Sequence, residues 1–270
     1  MAESLLHQLQ RLDRTSEYGT QVISLVGAGG KSSLLYGLIN ELNHDTPHGY
    51  RIGTTTTMMY DPSVCDNMMC YPFDDILPYS AFSPLADGDQ ALFIYGRKHE
   101  SLPKVYGITP NQVDALSCFP WISYIISESD GAHRLPVKAP DSNEPQHPAS
   151  TTVVIGLIGL SSYRMPMDGK TIHRFELFQK ISPVRGKNLI DEHTYIDLIM
   201  HKDGLFKSTP VTAKRVLFLN QADLMSEQDR IRIMQALAHQ GIPVDLIVMA
   251  SLRPLLTIYH TYFTQTRCLS

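Results

Sequence analysis

Short apolar runs alternate with helical patterns along most of the chain, and this alternation constrains the fold more than any other feature. The apolar runs of strand length are QVISLVG (21–27), YRIGTTTT (50–57), DQALFIYGRK (89–98), WISYIISESDGA (121–132), TTVVIGLIGL (151–160), RVLFLNQAD (215–223) and IPVDLIVMASL (242–252). Helical patterns follow at 31–42 and at 226–241, where Ser226 can cap the helix and Gly241 can end it. The alternation predicts an α/β fold of three layers, in which a mostly parallel sheet carries helices on both faces.

Two stretches interrupt this rhythm. Residues 60–84 carry Met, Cys, Pro and Tyr with little periodicity, which indicates an insertion or a cover over an active site. Residues 135–150 are rich in proline and are expected to form a loop. A linker between two domains is the alternative, but apolar strands flank this stretch closely. We therefore expect a single domain over residues 1–270, with an insertion near 60–84 and an internal loop at 135–150.

The overall charge limits the classes of partner. The formal net charge is −4 and the pI is near 6.2, which argues against binding nucleic acid through a broad basic surface. No window approaches the roughly eighteen apolar residues that a membrane-spanning helix needs, and the N-terminus lacks the apolar core of a signal peptide. We expect a cytoplasmic protein whose partners include neither nucleic acid nor membrane.

The segment LVGAGGKSS, residues 25–33, has the composition of a phosphate-binding loop between a strand and a helix. Glycines let backbone N–H groups converge on an anion, and the helix N-terminus adds its dipole. The full pattern G-x-x-x-x-G-K-[ST] has a glycine where this chain has Leu25, so we expect the strand to run further before it turns. The dinucleotide pattern G-x-G-x-x-G fits less well, because Ser32 occupies the position of its third glycine.

A plain tight turn is the alternative to a nucleotide site, and the adjacent Lys31 and Ser32 favour the nucleotide. Lys31 is expected to reach the β- and γ-phosphates of GTP or ATP, and the Ser32 hydroxyl is expected to bind Mg²⁺. The predicted nucleotide-binding residues of this loop are Gly27, Ala28, Gly29, Gly30, Lys31, Ser32 and Ser33.

Two other predicted strands end in candidate metal ligands. One ends in Glu128 and Asp130, and another ends in the threonines at 54–57. The carboxyl ends of parallel strands face the ligand crevice, where Mg²⁺ needs oxygen ligands or groups that hold its waters. The predicted Mg²⁺-binding residues are Ser32, Thr55, Thr56 and Asp130. Lys31 and Asp130 are the predicted catalytic residues. A threonine-rich strand and an acidic turn are the simpler alternatives.

The run FLNQAD resembles the [NT]-K-x-D motif with which GTPases recognise guanine. Asn220 and Asp223 match that motif, whereas Gln221 replaces the lysine whose stem packs on the base. An aspartate at this position accepts hydrogen bonds that guanine can donate and adenine cannot. We therefore expect Asn220 and Asp223 to bind the base and to favour GTP over ATP.

Several basic side chains follow the acidic strand end and could stabilise charge on a transferring phosphate. The candidates are His133, Arg134, Lys138, His173 and Arg174. Surface or structural roles are the alternative for each of them.

The motifs LVGAGGKSS, TTTT, ESDGAHRLPVKAP…EP, GKTIHRFELF and LNQADL occur in this order over about residues 20–250. In this combination the chain resembles the YqeC family, described as accessory proteins of selenium-dependent molybdenum hydroxylases. The resemblance implies a P-loop NTPase-like fold and a cytoplasmic factor whose partners are a molybdenum hydroxylase or the proteins that mature its cofactor. The loop and the NQAD motif also look like those of nucleotide-dependent metallochaperones, an analogy at the level of fold.

Three functions remain open from the sequence. The first is a Mg²⁺-dependent nucleoside triphosphatase, using GTP before ATP, that assists maturation of a molybdenum hydroxylase. The second is a kinase or nucleotidyl transferase that acts on a cofactor precursor. The third is an adaptor that binds a nucleotide or cofactor and hydrolyses nothing.

Overall fold

The computed structural model describes residues 4–12, 19–45, 49–64, 68–76, 91–183, 188–253 and 256–264. Its strands are β1 (Gln21–Gly27), β2 (Tyr50–Thr55), β3 (Met58–Tyr60), β4 (Met69–Pro72), β5 (Ala91–Tyr95), β6 (Arg97–Lys98), β7 (Lys104–Tyr106), β8 (Ile122–Glu128), β9 (Val137–Lys138), β10 (Val153–Gly159), β11 (Ile172–His173), β12 (Lys214–Asn220), β13 (Leu246–Ser251) and β14 (Thr257–Phe263). Its α-helices are α1 (Leu5–Leu12), α2 (Lys31–Asp45), α3 (Phe73–Ile76), α4 (Pro110–Ser117), α5 (Phe175–Ile181), α6 (Glu192–Met200) and α7 (Glu227–Gln240). No helix within these ranges is long and apolar enough to cross a lipid bilayer.

Nine of these strands form the central sheet of the described part of the chain, in the order β14-β13-β12-β10-β1-β8-β2-β5-β4. Neighbouring strands are parallel, except that β14 at one edge runs antiparallel to β13. This arrangement confirms the predicted mostly parallel α/β sheet. Because β1 lies between β8 and β10, the carboxyl ends of these three strands meet at one edge of the sheet.

Side chains alternate between the two faces of the sheet, as the period of a β-strand requires. On β1, Ile23 and Leu25 pack with residues of α1 and α2, whereas Val26 packs with residues of α5, α6 and α7 on the other face. Burying each such aliphatic side chain contributes about 1.5–3 kcal/mol. The helices on both faces complete the three predicted layers and fix β1 at the centre.

Smaller sheets lie beside the central one. β3, β7 and β6 form an antiparallel sheet, and β9 pairs in parallel with β11. The predicted insertion at 60–84 contains β4, which extends the edge of the central sheet; residues 65–67 and 77–84 of that stretch lie outside the described ranges. The proline-rich stretch at 135–150 is loop apart from the two residues of β9.

The predicted helix ends can be compared with the structure at α2 and α7. The Ser226 hydroxyl accepts a hydrogen bond from the backbone N–H of Asp229, and Gly241 follows α7 with φ +60°. Both predicted signals of α7 are therefore confirmed. α2 begins at Lys31 as predicted and continues to Asp45.

Candidate functional site

A cleft of about 1040 Å³ opens at the carboxyl ends of the central strands. Its floor contains residues 29–33, which lead from β1 into α2. Glu128 at the end of β8 and Asn220 at the end of β12 also line it. In open parallel sheets, ligands bind in the crevice at the carboxyl ends of the strands. The crevice forms where the connections of two neighbouring strands run to opposite sides of the sheet.

The glycine loop packs closely against the end of β10. Gly27, Gly29 and Gly30 have φ values of +88°, +87° and +126°, which side chains of L-residues rarely adopt. A Cβ on Gly29 would lie 2.5 Å from the backbone of Gly159, and one on Gly27 would lie 2.3 Å from the carbonyl oxygen of Leu157. Each of these glycines is therefore required by both its backbone angle and its neighbour.

Leu25 has a different role from the glycine that it replaces. It lies inside β1, where it pairs with Ile155 on one side and Glu128 on the other. Its side chain is fully buried with the helices on one face of the sheet. The strand continues to Gly27, as the sequence predicts, so the loop needs only the glycines that follow.

The loop and the first turn of α2 present a row of unused hydrogen-bond donors. Within the described residues, the backbone N–H groups of residues 29–33 donate to no acceptor, and the first such bond of the helix runs from Leu34 to Gly30 at 2.9 Å. The same five residues line the cleft. Free N–H groups at a helix start are the donors that bind phosphate in proteins.

Lys31 lies under this loop, with only 5% of its surface exposed. Its Nζ donates to the carbonyl oxygen of Gly27 at 2.6 Å and lies 3.0 Å from Oδ1 of Asp130. Lys31 and Asp130, the two predicted catalytic residues, therefore lie together at one edge of the sheet. Gly27 and Asp130 hold the ammonium group beside the loop.

Asp130 is the centre of a buried ion network. Its Oδ2 accepts from the backbone N–H of Gly27 at 2.9 Å and lies 3.0 Å from Nζ of Lys138. Lys138 also contacts Glu144 at 2.6 Å, and Glu144 receives a hydrogen bond from Arg174 at 2.5 Å. The side chain of Asp130 thus connects the glycine loop to the segment after β8.

The electrostatics of this network stabilise the Glu144 carboxylate in the charged form. Burial by itself raises the pKa of Glu144, but hydrogen bonds from Arg174 and Lys138 outweigh it and lower the pKa to about 2. Asp130 is 1% exposed and already has two ammonium neighbours. Its predicted role as a Mg²⁺ ligand stays a prediction. Oδ2 accepts the Gly27 N–H, whereas Oδ1 lies 3.0 Å from Nζ of Lys31 and has no hydrogen-bond partner among the described residues.

Glu128 has the opposite environment. It is 6% exposed and lines the cleft, and its Oε1 has no hydrogen-bond partner among the described residues. Burial raises the pKa of this carboxyl above its ordinary value, although the charge of Lys31 and the hydroxyl of Ser32 act in the other direction. An unpaired buried carboxylate oxygen costs about 1–3 kcal/mol, so its presence in a cleft indicates a ligand-binding role.

The predicted threonine ligands are already hydrogen-bonded to the backbone. The Thr55 hydroxyl donates to the carbonyl oxygen of Glu128 at 3.1 Å, and the Thr56 hydroxyl donates to that of Gln146 at 3.1 Å. These bonds join the ends of β2 and β8 to the loop that contains Gln146. Their predicted Mg²⁺ contacts remain untested.

The two predicted base-binding residues occupy different positions. The Asn220 amide donates to the carbonyl oxygen of Gly29 at 2.6 Å, and its side-chain oxygen accepts from the N–H of Leu252 at 3.2 Å. Asn220 therefore fixes the glycine loop to the end of β13. Asp223 lines the cleft, where its carboxylate accepts a hydrogen bond from the Ser251 hydroxyl and keeps its remaining acceptor capacity.

The basic candidates separate into three groups. Lys138 and Arg174 belong to the ion network described above. The rings of His133 and His173 stack with centroids 4.5 Å apart, and burial together with nearby cations lowers the pKa of His173 to about 4. Arg134 is exposed and lines the cleft, 4.4 Å from the centre of the Tyr60 ring.

Some cleft residues carry no sequence signal of their function. Tyr36 on α2, Tyr60 on β3 and Leu252 line the cleft without belonging to a recognised motif. Glu144 belongs to the end of the ESDGAHRLPVKAP…EP motif, but the sequence gives no sign of its contact with Lys138. No group of three or more His, Cys, Asp or Glu side chains with metal-binding geometry occurs among the described residues.

Comparison with known proteins gives two matches. The family described as YqeC protein matches residues 23–176. The uncharacterized protein YqeC of Escherichia coli (strain K12) is 32% identical over 212 residues, which cover 78% of this chain and 79% of that protein. No solved structure matches the chain. The family match covers the glycine loop, both acidic strand-end residues and the ion network.

Proposed function

The chain belongs to the YqeC family, and on that premise we propose that it binds a nucleoside triphosphate with Mg²⁺, preferring GTP, and hydrolyses it. The observation that carries the proposal is the row of five consecutive backbone N–H groups, residues 29–33, that face the cleft without acceptors among the described residues. A triphosphate supplies the oxygens that these donors need. From the resemblance, we further propose that nucleotide turnover serves maturation of a selenium-dependent molybdenum hydroxylase.

The position of Lys31 supports phosphate binding. The ammonium group is held by the Gly27 carbonyl oxygen and by Asp130, directly beside the free N–H groups. A phosphate in the loop would offer Lys31 a second anion, and Asp130 would keep Lys138 and the Gly27 N–H as partners. Lys31 thus stabilises the negative charge of the transferring phosphate, which is its predicted catalytic role.

The residues beside the loop fit a magnesium ion. The Ser32 hydroxyl and the unpaired Oε1 of Glu128 are both oxygen ligands of the kind that Mg²⁺ prefers, and both residues line the cleft. Bound Mg²⁺ neutralises charge on the phosphate oxygens. Ser32 and Glu128 would hold it directly or through water, while Asp130 positions Lys31.

The other end of the cleft supports a base-binding site. Asp223 lines the cleft together with the apolar residues Leu224 and Leu252, and its carboxylate has acceptor capacity beyond the hydrogen bond from Ser251. A carboxylate accepts two hydrogen bonds from guanine and finds no matching donors on adenine. Asn220 contributes indirectly, because it ties the glycine loop to the strand that precedes Leu252.

Replacing Lys31 with methionine tests phosphate binding. This change keeps the side-chain stem and removes the charge, so we expect GTP affinity to fall by tenfold or more, which corresponds to roughly 1.5–3 kcal/mol for a charge-assisted contact. Isothermal titration calorimetry with GTP and ATP, with and without Mg²⁺, measures it. Lys170→Met, at an exposed position outside the cleft, is the matched control. Equal GTP affinity of Lys31→Met and the parent protein would contradict the proposal.

Replacing Asp223 with asparagine tests the base. We expect this variant to weaken GTP and to improve the relative affinity for xanthosine triphosphate, whose carbonyl oxygen accepts from the new amide. Asp203→Asn, at an exposed position, is the control. Equal affinities for GTP, xanthosine triphosphate and ATP in the parent and in Asp223→Asn would refute guanine recognition. Phosphate release measured on the same samples separates a GTPase from an adaptor that binds GTP without turnover.

A further inference from the structure

The cleft extends beyond the glycine loop into a second region, which we call the distal arm. It is lined by Met59, Tyr60, Asp61, Pro103 and Arg134. Met59 and Tyr60 belong to β3, which follows β2 on one side of β1 in the central sheet, whereas Asn220 ends β12 on the other side of β1. Pockets for single small ligands usually have volumes of about 300–1,000 Å³. A cleft of about 1040 Å³ lies at the upper end of this range.

Positive charge without a counter-charge is concentrated at the distal arm. The Arg134 guanidinium lies 4.4 Å from the centre of the Tyr60 ring, and Nζ of Lys104 lies 5.5 Å from the same centre. Neither cation has a carboxylate partner among the described residues. The nearby carboxylate of Asp61 already pairs with Lys98 at 3.0 Å. In a chain whose net charge is −4, Arg134 is a basic side chain that lines the cleft, and Lys104 lies near the same tyrosine ring.

The backbone that presents Arg134 is held in an uncommon conformation. His133 and Arg134 have φ values of +48° and +63°, and left-handed residues other than glycine cost of order 1–3 kcal/mol each. The stacked rings of His133 and His173 hold the first of these residues in place. The left-handed backbone at residues 133 and 134 presents the Arg134 side chain to the cleft.

We propose that the distal arm binds a second, phosphorylated small molecule beside the nucleotide. The guanidinium of Arg134 matches the paired oxygens of a phosphate, Lys104 adds a second charge, and the Tyr60 ring with Met59 packs against the organic part of the ligand. The inference rests on the proposed function only for the identity of the first ligand.

The test measures ligand binding at the distal arm in a variant whose glycine loop has lost its phosphate-binding lysine. In the Lys31→Met background, ribose 5-phosphate is titrated by calorimetry, with ribose as the probe that lacks the phosphate. We expect binding of ribose 5-phosphate, no binding of ribose, and at least tenfold weaker binding of ribose 5-phosphate after Arg134→Ala. Arg164→Ala is the matched control, because Arg164 also has positive φ (60°) and lies over a tyrosine ring, Tyr163.

The two proposals fail in different ways. If the parent protein binds no GTP, the nucleotide proposal fails, while the titrations in the Lys31→Met background still decide on the distal arm. Absence of ribose 5-phosphate binding overturns the distal arm, and so does binding that Arg134→Ala leaves unchanged. Loss of binding in Arg164→Ala as well as in Arg134→Ala also overturns it, because the effect then follows total charge.

Discussion

Replacing Glu128 with glutamine is expected to stabilise the protein without ligand and to weaken its binding of the Mg²⁺–nucleotide complex. The carboxylate is 6% exposed, and its Oε1 is unpaired among the described residues, an arrangement that costs about 1–3 kcal/mol. Glutamine removes the buried charge but keeps an unpaired carbonyl oxygen, so we expect a gain of about 1 kcal/mol, near the lower limit of that range. A side chain that lowers the stability of the folded protein is expected where it serves binding or catalysis.

The sign of this effect depends on pH. The pKa of Glu128 is raised in the folded state by burial, so the folded protein disfavours the charged form. The penalty is present above the ordinary pKa of glutamate, about 4.3, and disappears as pH falls and the carboxyl is protonated in both states. The variant should therefore exceed the parent in stability at pH 7 and match it near pH 4.

Urea unfolding followed by circular dichroism measures this difference. With a slope of about 1–3 kcal/mol/M, a gain of about 1 kcal/mol raises the midpoint by about 0.3–1 M at pH 7. Glu100→Gln, at an exposed position, is the control and should leave the midpoint unchanged. The affinity for GTP should fall at least tenfold with Mg²⁺ present and change little without it. A lower midpoint for Glu128→Gln would refute the reasoning, because the carboxylate would then be a structural group.

Three other changes test the site. Asp130→Asn removes the anion shared by two buried ammonium groups and should lower the free energy of unfolding by about 3–5 kcal/mol. Adding Lys31→Met should partly reverse this loss in urea unfolding. An unchanged midpoint for Asp130→Asn would contradict the ion network. The pKa of Glu144 is lowered to about 2, so its carboxylate contributes stability above pH 4.5 that is lost as pH falls toward 2. The stability advantage of the parent over Glu144→Gln should therefore shrink across that pH range. A constant difference in stability would argue against this contribution. Gly29→Ala should lower the free energy of unfolding by roughly 2–5 kcal/mol, because its Cβ would lie 2.5 Å from neighbouring backbone at φ +87°. Gly241→Ala, whose Cβ would have nothing within 4 Å, should lower it by only about 1 kcal/mol. Equal losses would show that the contact at Gly29 is not tight.

The fold could be predicted from local patterns because each pattern has a period of its own. The apolar run of β1 and the glycines that end it locate the central strand, and the alternation of strands and helices determines the layers. The helix caps of α7 are equally local signals. β4 was not predicted, because a short strand at the edge of a sheet leaves several of its side chains partly exposed and so lacks an apolar run.

The division of work between Glu128 and Asp130 could not be predicted in the same way. In a continuous strand two residues that are two positions apart point to the same face. β8 ends at Glu128, so the chain turns, and Asp130 points under the glycine loop while Glu128 points into the cleft. The ion network and the distal arm depend on residues far apart in sequence, such as Lys31 with Lys138 and Tyr60 with Arg134, and no local period encodes them.

The central claim is that the free N–H groups of residues 29–33 bind the phosphates of a nucleotide. The most direct measurement is the amide NMR spectrum of the ¹⁵N-labelled protein, recorded while a non-hydrolysable GTP analogue is added with Mg²⁺. We expect the amide chemical shifts of these five residues to change more than those of any other segment. We also expect Lys31→Met to reduce these changes. Signals at 29–33 that stay in place at saturating nucleotide, whether other residues respond or none do, would contradict it.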